Sequence, residues 1–305
     1  MFSLSRNEIR SMISLMDRPL AAKELAQAIP LSLPSAYRIL ENLESRGFIR
    51  SEGAHPRCYL PSDSLHSQAL RQILGSGDYP FSAFLDSKML ILLSICYHEK
   101  DNNRVAKETG LKKDSLRKYV RELESVGLIS SKENIIKIPS INERFRSLLQ
   151  DYSRGVFNHH ISSRIDRPIF QWAGGLDFLF SVSIDHDVDE GSITGPIAME
   201  RYGILLVTDL IDRYWSFWKR ELRLEDHALF NILIDRTRAR ISYSLLLLDS
   251  KDYDKKYLLQ EARQLGLETI ISDMVKYLRG KEVRRTEFPS RQEFEQLRRD
   301  YGVLK

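Results

Sequence analysis

Cysteine is scarce in this chain. Only Cys58 and Cys96 occur in 305 residues, too few and too widely spaced for a disulfide framework or a thiolate metal site, so both read as small packing residues. Long apolar runs are missing as well. The longest, Met89 to Cys96, is broken by Ser94 and falls far short of the roughly 18 apolar residues that a membrane span requires. Arg6, Glu8 and Arg10 interrupt the first apolar pairs where a secretory signal would keep an apolar core, and the reading is a cytoplasmic protein with no membrane partner. His159, His160 and His227 have no companion at metal-ligand spacing and no nucleophile at a fixed offset, which argues against a metal centre, a cofactor or a catalytic triad. Charge of one sign is also in short supply, with a formal net charge of only +4. Its placement is uneven. Residues 1–140 carry 20 Lys and Arg against 16 Asp and Glu, while residues 141–305 carry 26 of each, so the whole excess lies where an anionic partner would be met.

What the chain does contain is a repeat. LSLPSAYRILENLESRGFIRS, from Leu31 to Ser51, returns as LKKDSLRKYVRELESVGLISS, from Leu111 to Ser131, without a gap. An ungapped repeat of this length asks for one supersecondary unit built twice. In each copy a polar cap, Ser32 or Asp114, opens a run whose apolar residues (Ala36, Leu40, Leu43; Leu116, Val120, Leu123) fall at helical spacing. Gly47 and Gly127 then stand where the chain must leave the helix in a left-handed conformation. Short apolar segments follow, Phe48 to Arg50 with Arg57 to Leu60, and Leu128 to Ser130 with Ile135 to Ile138, each pair reading as a hairpin. Earlier helices are expected over Asn7–Met16, Ala21–Ile29, Ser64–Leu74, Lys88–Tyr97 and Asn102–Thr109, and an amphipathic helix or helix pair over Ile141–Ile161.

Helix, helix, longer helix and hairpin, with the L-x-x-L-E-x-x-G-hydrophobic pattern in both copies, resembles the winged helix-turn-helix of archaeal and bacterial regulators. That resemblance implies double-stranded DNA as the partner, and a homodimer is expected because paired half-sites are the common way to gain specificity. The recognition helix must present long polar side chains at its N-terminal end, opposite its core stripe. Ser35, Tyr37, Arg38 and Asn42 fit in the first copy, and Lys112, Lys113, Ser115, Arg117, Lys118 and Arg121 in the second. His55 and Arg57, then Lys132 and Asn134, are the wing-tip candidates. The second copy is much the more basic, and the first, with Leu33 and Pro34 at its reading end, also suits a protein-interaction module.

Past residue 164 the character changes. Strands are expected at Ile169–Trp172 and Phe178–Ile184, then an acidic loop, then helices over Asp226–Ile234, Arg240–Leu248, Lys255–Leu265, Thr269–Leu278 and Ser290–Asp300. The TG-x-x-A-x-x-x-YGI segment from Thr194, the Leu-Glu-Asp-His helix start at Leu224 and the Asp-x-x-Tyr-Leu-Leu helix at Asp254 look like archaeal winged-helix regulators. Those in turn are similar to AbiEi-type antitoxins, and the likeness implies a C-terminal domain for dimerisation, effector sensing or a toxin-like protein partner. One enzymatic alternative stands beside this. Gly174-Gly175 followed by Asp185-His186-Asp187 approximates a nucleotidyltransferase glycine turn and D-x-D pair, although the apolar stretch from Leu176 to Ile184 leaves no helix start between them.

The sequence thus describes a mainly α chain with small β hairpins, of α+β class: tandem winged helix-turn-helix domains (1–62 and 83–140, joined by a linker at 63–82), a connecting helix (141–164), and an α+β C-terminal domain (165–305). The expected function is regulation of transcription by DNA occupancy, without catalysis.

Overall fold

The computed structural model describes residues 1–54, 56–185 and 188–303. The chain divides into two compact units, 1–164 and 165–305. Among the described residues no helix is long and apolar enough to cross a membrane.

In the first unit one order of elements is built twice. It begins with α1 (Arg6–Asp17), β1 (Leu20–Ala21), α2 (Ala22–Ala28), α3 (Leu33–Ser45), β2 (Ile49–Glu52), β3 (Cys58–Pro61) and α4 (Leu65–Gly75). The order returns as α5 (Asp86–Ile95), β4 (Lys100–Asp101), α6 (Asn102–Thr109), α7 (Lys113–Ser125), β5 (Ser130–Lys132), β6 (Ile135–Lys137) and α8 (Glu143–Ser162). Each copy folds its strands into a three-stranded sheet, β1-β3-β2 and β4-β6-β5, with the last strand in the middle. The apolar stripes bury as their spacing requires: Ala36, Leu40 and Leu43 in α3, Leu116, Val120 and Leu123 in α7. Gly47 and Gly127 take φ of 72° and 74°. Past them the Phe48 and Leu128 amides return to the Leu43 and Leu123 carbonyls at 2.9 and 3.1 Å, which closes α3 and α7 and aims the chain into the hairpin that follows each.

One detail differs from expectation. α7 starts at Lys113 with Lys112 at its N-cap, the position matching Ser32, so Asp114 lies inside the first turn and caps nothing. A helix boundary set by the packed repeat outweighs a single carboxylate's capping preference. The second hairpin is tighter than the first. Glu133 and Asn134 both have positive φ, 51° and 69°, and form a two-residue turn between Lys132 and Ile135 of the kind that matches strand twist.

α4 and α8, one from each copy, pack antiparallel. His66, early in α4, lies against Gly155 and His159, late in α8, while Ile73 shares a cleft with Phe145 and Leu148, early in α8. The approach is closest at Gly155, where an added Cβ would lie 2.5 Å from the His66 backbone nitrogen. At the matching position of α4, Gly75, a Cβ would meet only the tip of Met16 at 3.3 Å. Gly155→Ala is therefore expected to cost about 1–3 kcal/mol through overpacking, whereas Gly75→Ala gains helix propensity, close to 1 kcal/mol at most. Equal denaturation midpoints for the two variants would refute this account of the helix pair.

His66 is itself buried, and its Nε2–H donates to the Arg46 carbonyl at 2.9 Å. Burial pulls its pKa from 6.5 down to about 4. The unfolded chain takes a proton on this ring that the folded chain refuses, so stability is complete above pH 6.5 and declines as pH falls toward 4. The slope within that window is about 1.4 kcal/mol per pH unit. His66→Gln should flatten urea-denaturation stability against pH by about that amount, and an unchanged slope would contradict the assignment.

The second unit is a four-stranded antiparallel sheet with helices. Its strands are β7 (Ile169–Ala173), β8 (Asp177–Ser183), β9 (Ser192–Thr194) and β10 (Leu210–Ser216), in the order β7-β8-β10-β9. A short α9 (Gly195–Ala198) precedes β10, and α10 (Leu224–Ile234), α11 (Arg238–Ser250), α12 (Lys255–Gln264), α13 (Glu268–Leu278) and α14 (Arg291–Asp300) follow. α10 and α11 bury residues on nearly all sides and form the centre of the core. Tyr214 of β10 stacks on Phe230 of α10 at 4.3 Å. Ion pairs lie inside this unit: Arg220 reaches Asp226 and Glu261 at 2.8 and 3.1 Å, and Arg240 reaches Asp212 at 2.8 Å.

Candidate nucleic-acid interface

The arrangement of α7 sorts its charges by face. Lys112, Lys113, Arg117, Lys118 and Arg121 are all exposed, with Ser115 half-buried among them. Two of the helix's three acids are drawn to the other side. Glu122 pairs with Lys88 of α5 at 2.6 Å, and the Lys88 ammonium holds its carboxyl below the ordinary range. Glu124 accepts the Ser131 amide at 2.6 Å. Asp114 alone stays outward, and its pair with Arg117 is long, 3.6 Å, between side chains 69% and 97% exposed, which makes it worth little. The result is a basic stripe, extended toward the wing by exposed Lys132. Such a stripe releases counterions from a polyphosphate when it binds.

α3 offers a different surface. Tyr37 is 47% exposed and Leu33 42%, beside exposed Pro34 and Arg38. The other first-copy candidates are engaged within the fold. The Ser35 hydroxyl lies 2.9 Å from that of Ser32 at the helix cap, and Asn42 donates to Glu8, which also takes Arg46 at 3.0 Å. Arg57 pairs with Glu44 at 2.8 Å and lies over the Tyr59 ring. His55 is outside the described residues. In the second wing Asn134 accepts from Asn102 at 2.6 Å and so ties the turn to the start of α6. What spacing alone missed is this set of tethers, chiefly Glu8–Arg46 and Lys88–Glu122, because each joins residues more than thirty positions apart.

With this geometry in place, residues 1–64 match the family model described as the sugar-specific transcriptional regulator TrmB. The first winged unit is similar to TrmB. Residues 188–303 match a second family model, HVO_2833_C, described as a C-terminal domain. Comparison with curated proteins gives no match. The TrmB-like segment spans α1 through β3 and so contains both α3 and the first wing.

The D-x-D alternative meets only half of its residues here. Asp185 is exposed in the turn after β8, and Asp187 is outside the described residues. Among the described residues no group of three or more His, Cys, Asp or Glu is placed to hold a metal ion. A cavity of about 450 Å³ opens elsewhere in the second unit, lined by Gly191, Ser192, Tyr214, Trp215, Lys219 and Arg220, with Asp189, Glu190 and Glu221 also bordering it.

Proposed function

We propose that this chain is a DNA-binding regulator of transcription whose winged units occupy promoter or operator DNA. The observation that carries the reading is α7, five exposed cations at and near a helix N-terminus with two of three acids held behind. The likeness of residues 1–64 to a transcriptional regulator supports it. If the heads together neutralise about six phosphates, the log–log dependence of affinity on salt has a slope on the order of −5. Binding of the full chain to a random duplex pool at several salt concentrations, followed by sequencing of the retained fraction, tests this directly. A slope near zero, or no retention at low salt, removes the reading.

The cavity in the second unit is the proposed effector site. Its volume suits a small ligand, and aromatic rings together with carboxylates and cations are the lining that hydroxyl-rich ligands require. A sugar fits that lining and the description of the N-terminal relative. Calorimetric titration with a panel of hexoses and disaccharides is expected to give saturable heat with at least one member, lost in Trp215→Ala. No heat across the panel would discard the site.

A further inference from the structure

Like parts of the two winged copies meet each other. Leu4, just before α1, forms a parallel bridge with Leu85, just before α5. α4, which follows the first wing, packs antiparallel on α8, which follows the second. The Tyr152 hydroxyl of α8 donates to the Phe2 carbonyl at 2.7 Å and fastens the second copy's last helix to the first copy's start. Copies related by simple translation would bring unlike surfaces together. Equivalent helices in antiparallel contact, as α4 and α8 are, are what a two-fold axis produces in an isologous dimer interface. One polypeptide therefore brings equivalent helices of its two copies together, as two-fold dimers do across their interface.

The pair is unequal. From Leu31 to Ser45 the chain has one cation and two acids, while from Leu111 to Ser125 it has five cations and three acids. α3 presents Leu33, Pro34 and Tyr37 with Arg38 where α7 presents lysines and arginines.

We infer that a single copy of this chain occupies both halves of a two-part, asymmetric DNA site. α7 holds its half mainly through phosphates. α3 reads its half by apolar contact with thymine methyl groups, with Arg38 supplying the polar contact in the major groove. This inference rests on the DNA-binding reading above, and it makes a second copy unnecessary for two-part recognition.

The test uses the full chain and a duplex recovered from the random pool. Sedimentation equilibrium gives the stoichiometry, and hydroxyl-radical footprinting gives the protected segments. The expected result is a 1:1 complex with two protected segments of unlike sequence, one of them T-rich. Tyr37→Ala with Arg38→Ala should erase one segment and Arg117→Ala with Lys118→Ala the other, each pair weakening binding roughly tenfold or more. Two chains on a palindrome, or an unchanged footprint in the Tyr37 and Arg38 variant with its fold intact by circular dichroism, would overturn the single-copy inference while leaving DNA binding in place. Absence of salt-sensitive retention by the unaltered chain would instead overturn the DNA reading and this inference with it.

Discussion

Arg117→Ala combined with Lys118→Ala is expected to weaken duplex binding on the order of 100-fold at about 0.15 M salt, and to flatten the salt slope by about 2. Both side chains are exposed on the outer face of α7, and neither has a close ion pair that must be broken first. Their removal therefore subtracts phosphate contacts without unpacking the helix, whose anchors are Leu116, Val120 and Leu123. Stability should change little, since surface substitutions away from packed features rarely exceed about 0.5 kcal/mol. That combination distinguishes an interface residue from a structural one. Filter binding or fluorescence anisotropy against salt, with a denaturation curve on the same preparation, measures both quantities. Full affinity in a folded variant would mean that α7 is not where the nucleic acid lies.

The parts of the fold that could be read from the sequence are those where one physical rule acts locally. The 80-residue offset of the repeat exposed α3 and α7 together, because Ala36, Leu40 and Leu43 and their counterparts keep the same spacing and the same burial. Gly47 and Gly127 marked both helix ends because no other residue takes the left-handed turn so cheaply. In the second unit the five later helices and the first two strands were readable, but β9, β10 and the sheet order were not. Nothing local in Leu210–Ser216 states that β10 lies between β8 and β9. α10 and α11 are apolar nearly all round, so they lack the one-sided pattern that tells which face meets the sheet. At the candidate interface the basic cluster of α7 was visible as composition. The engagement of Asn42, Arg57 and Asn134 was not, because Glu8, Glu44 and Asn102 reach them only after folding.

Glu108→Ala is expected to cost about 3–5 kcal/mol, the largest stability effect of a single substitution in the winged region, because it strands a buried cation. Glu108 is fully buried in α6 and accepts from Lys100 at 2.7 Å, Arg104 at 2.5 Å and Ser94 at 2.7 Å. Burial alone would raise its pKa, but the Lys100 and Arg104 charges outweigh burial and hold the carboxyl below the ordinary range. The contribution is thus present above the unfolded carboxylate's pKa and is lost as pH falls through the depressed folded value. Lys100 is itself only 4% exposed, on β4, so the cluster joins α5, β4 and α6 beneath α7. The first copy shows that the architecture does not require it. Counting back 80 residues, Leu20 replaces Lys100 and is 3% exposed, while Ala28 replaces Glu108. Lys100→Leu together with Glu108→Ala places the first copy's residues at these two positions and removes the Lys100–Glu108 pair, while Arg104, which the first copy replaces with Glu24, keeps its charge. The double variant should recover the part of the Glu108→Ala loss that comes from the stranded Lys100, since replacing a buried ion pair with apolar residues is often neutral or better. Urea denaturation of the two single variants and the double gives the coupling energy. Additive losses would show that the cluster contributes through something other than mutual neutralisation, and that the two copies reach one fold by unrelated packing.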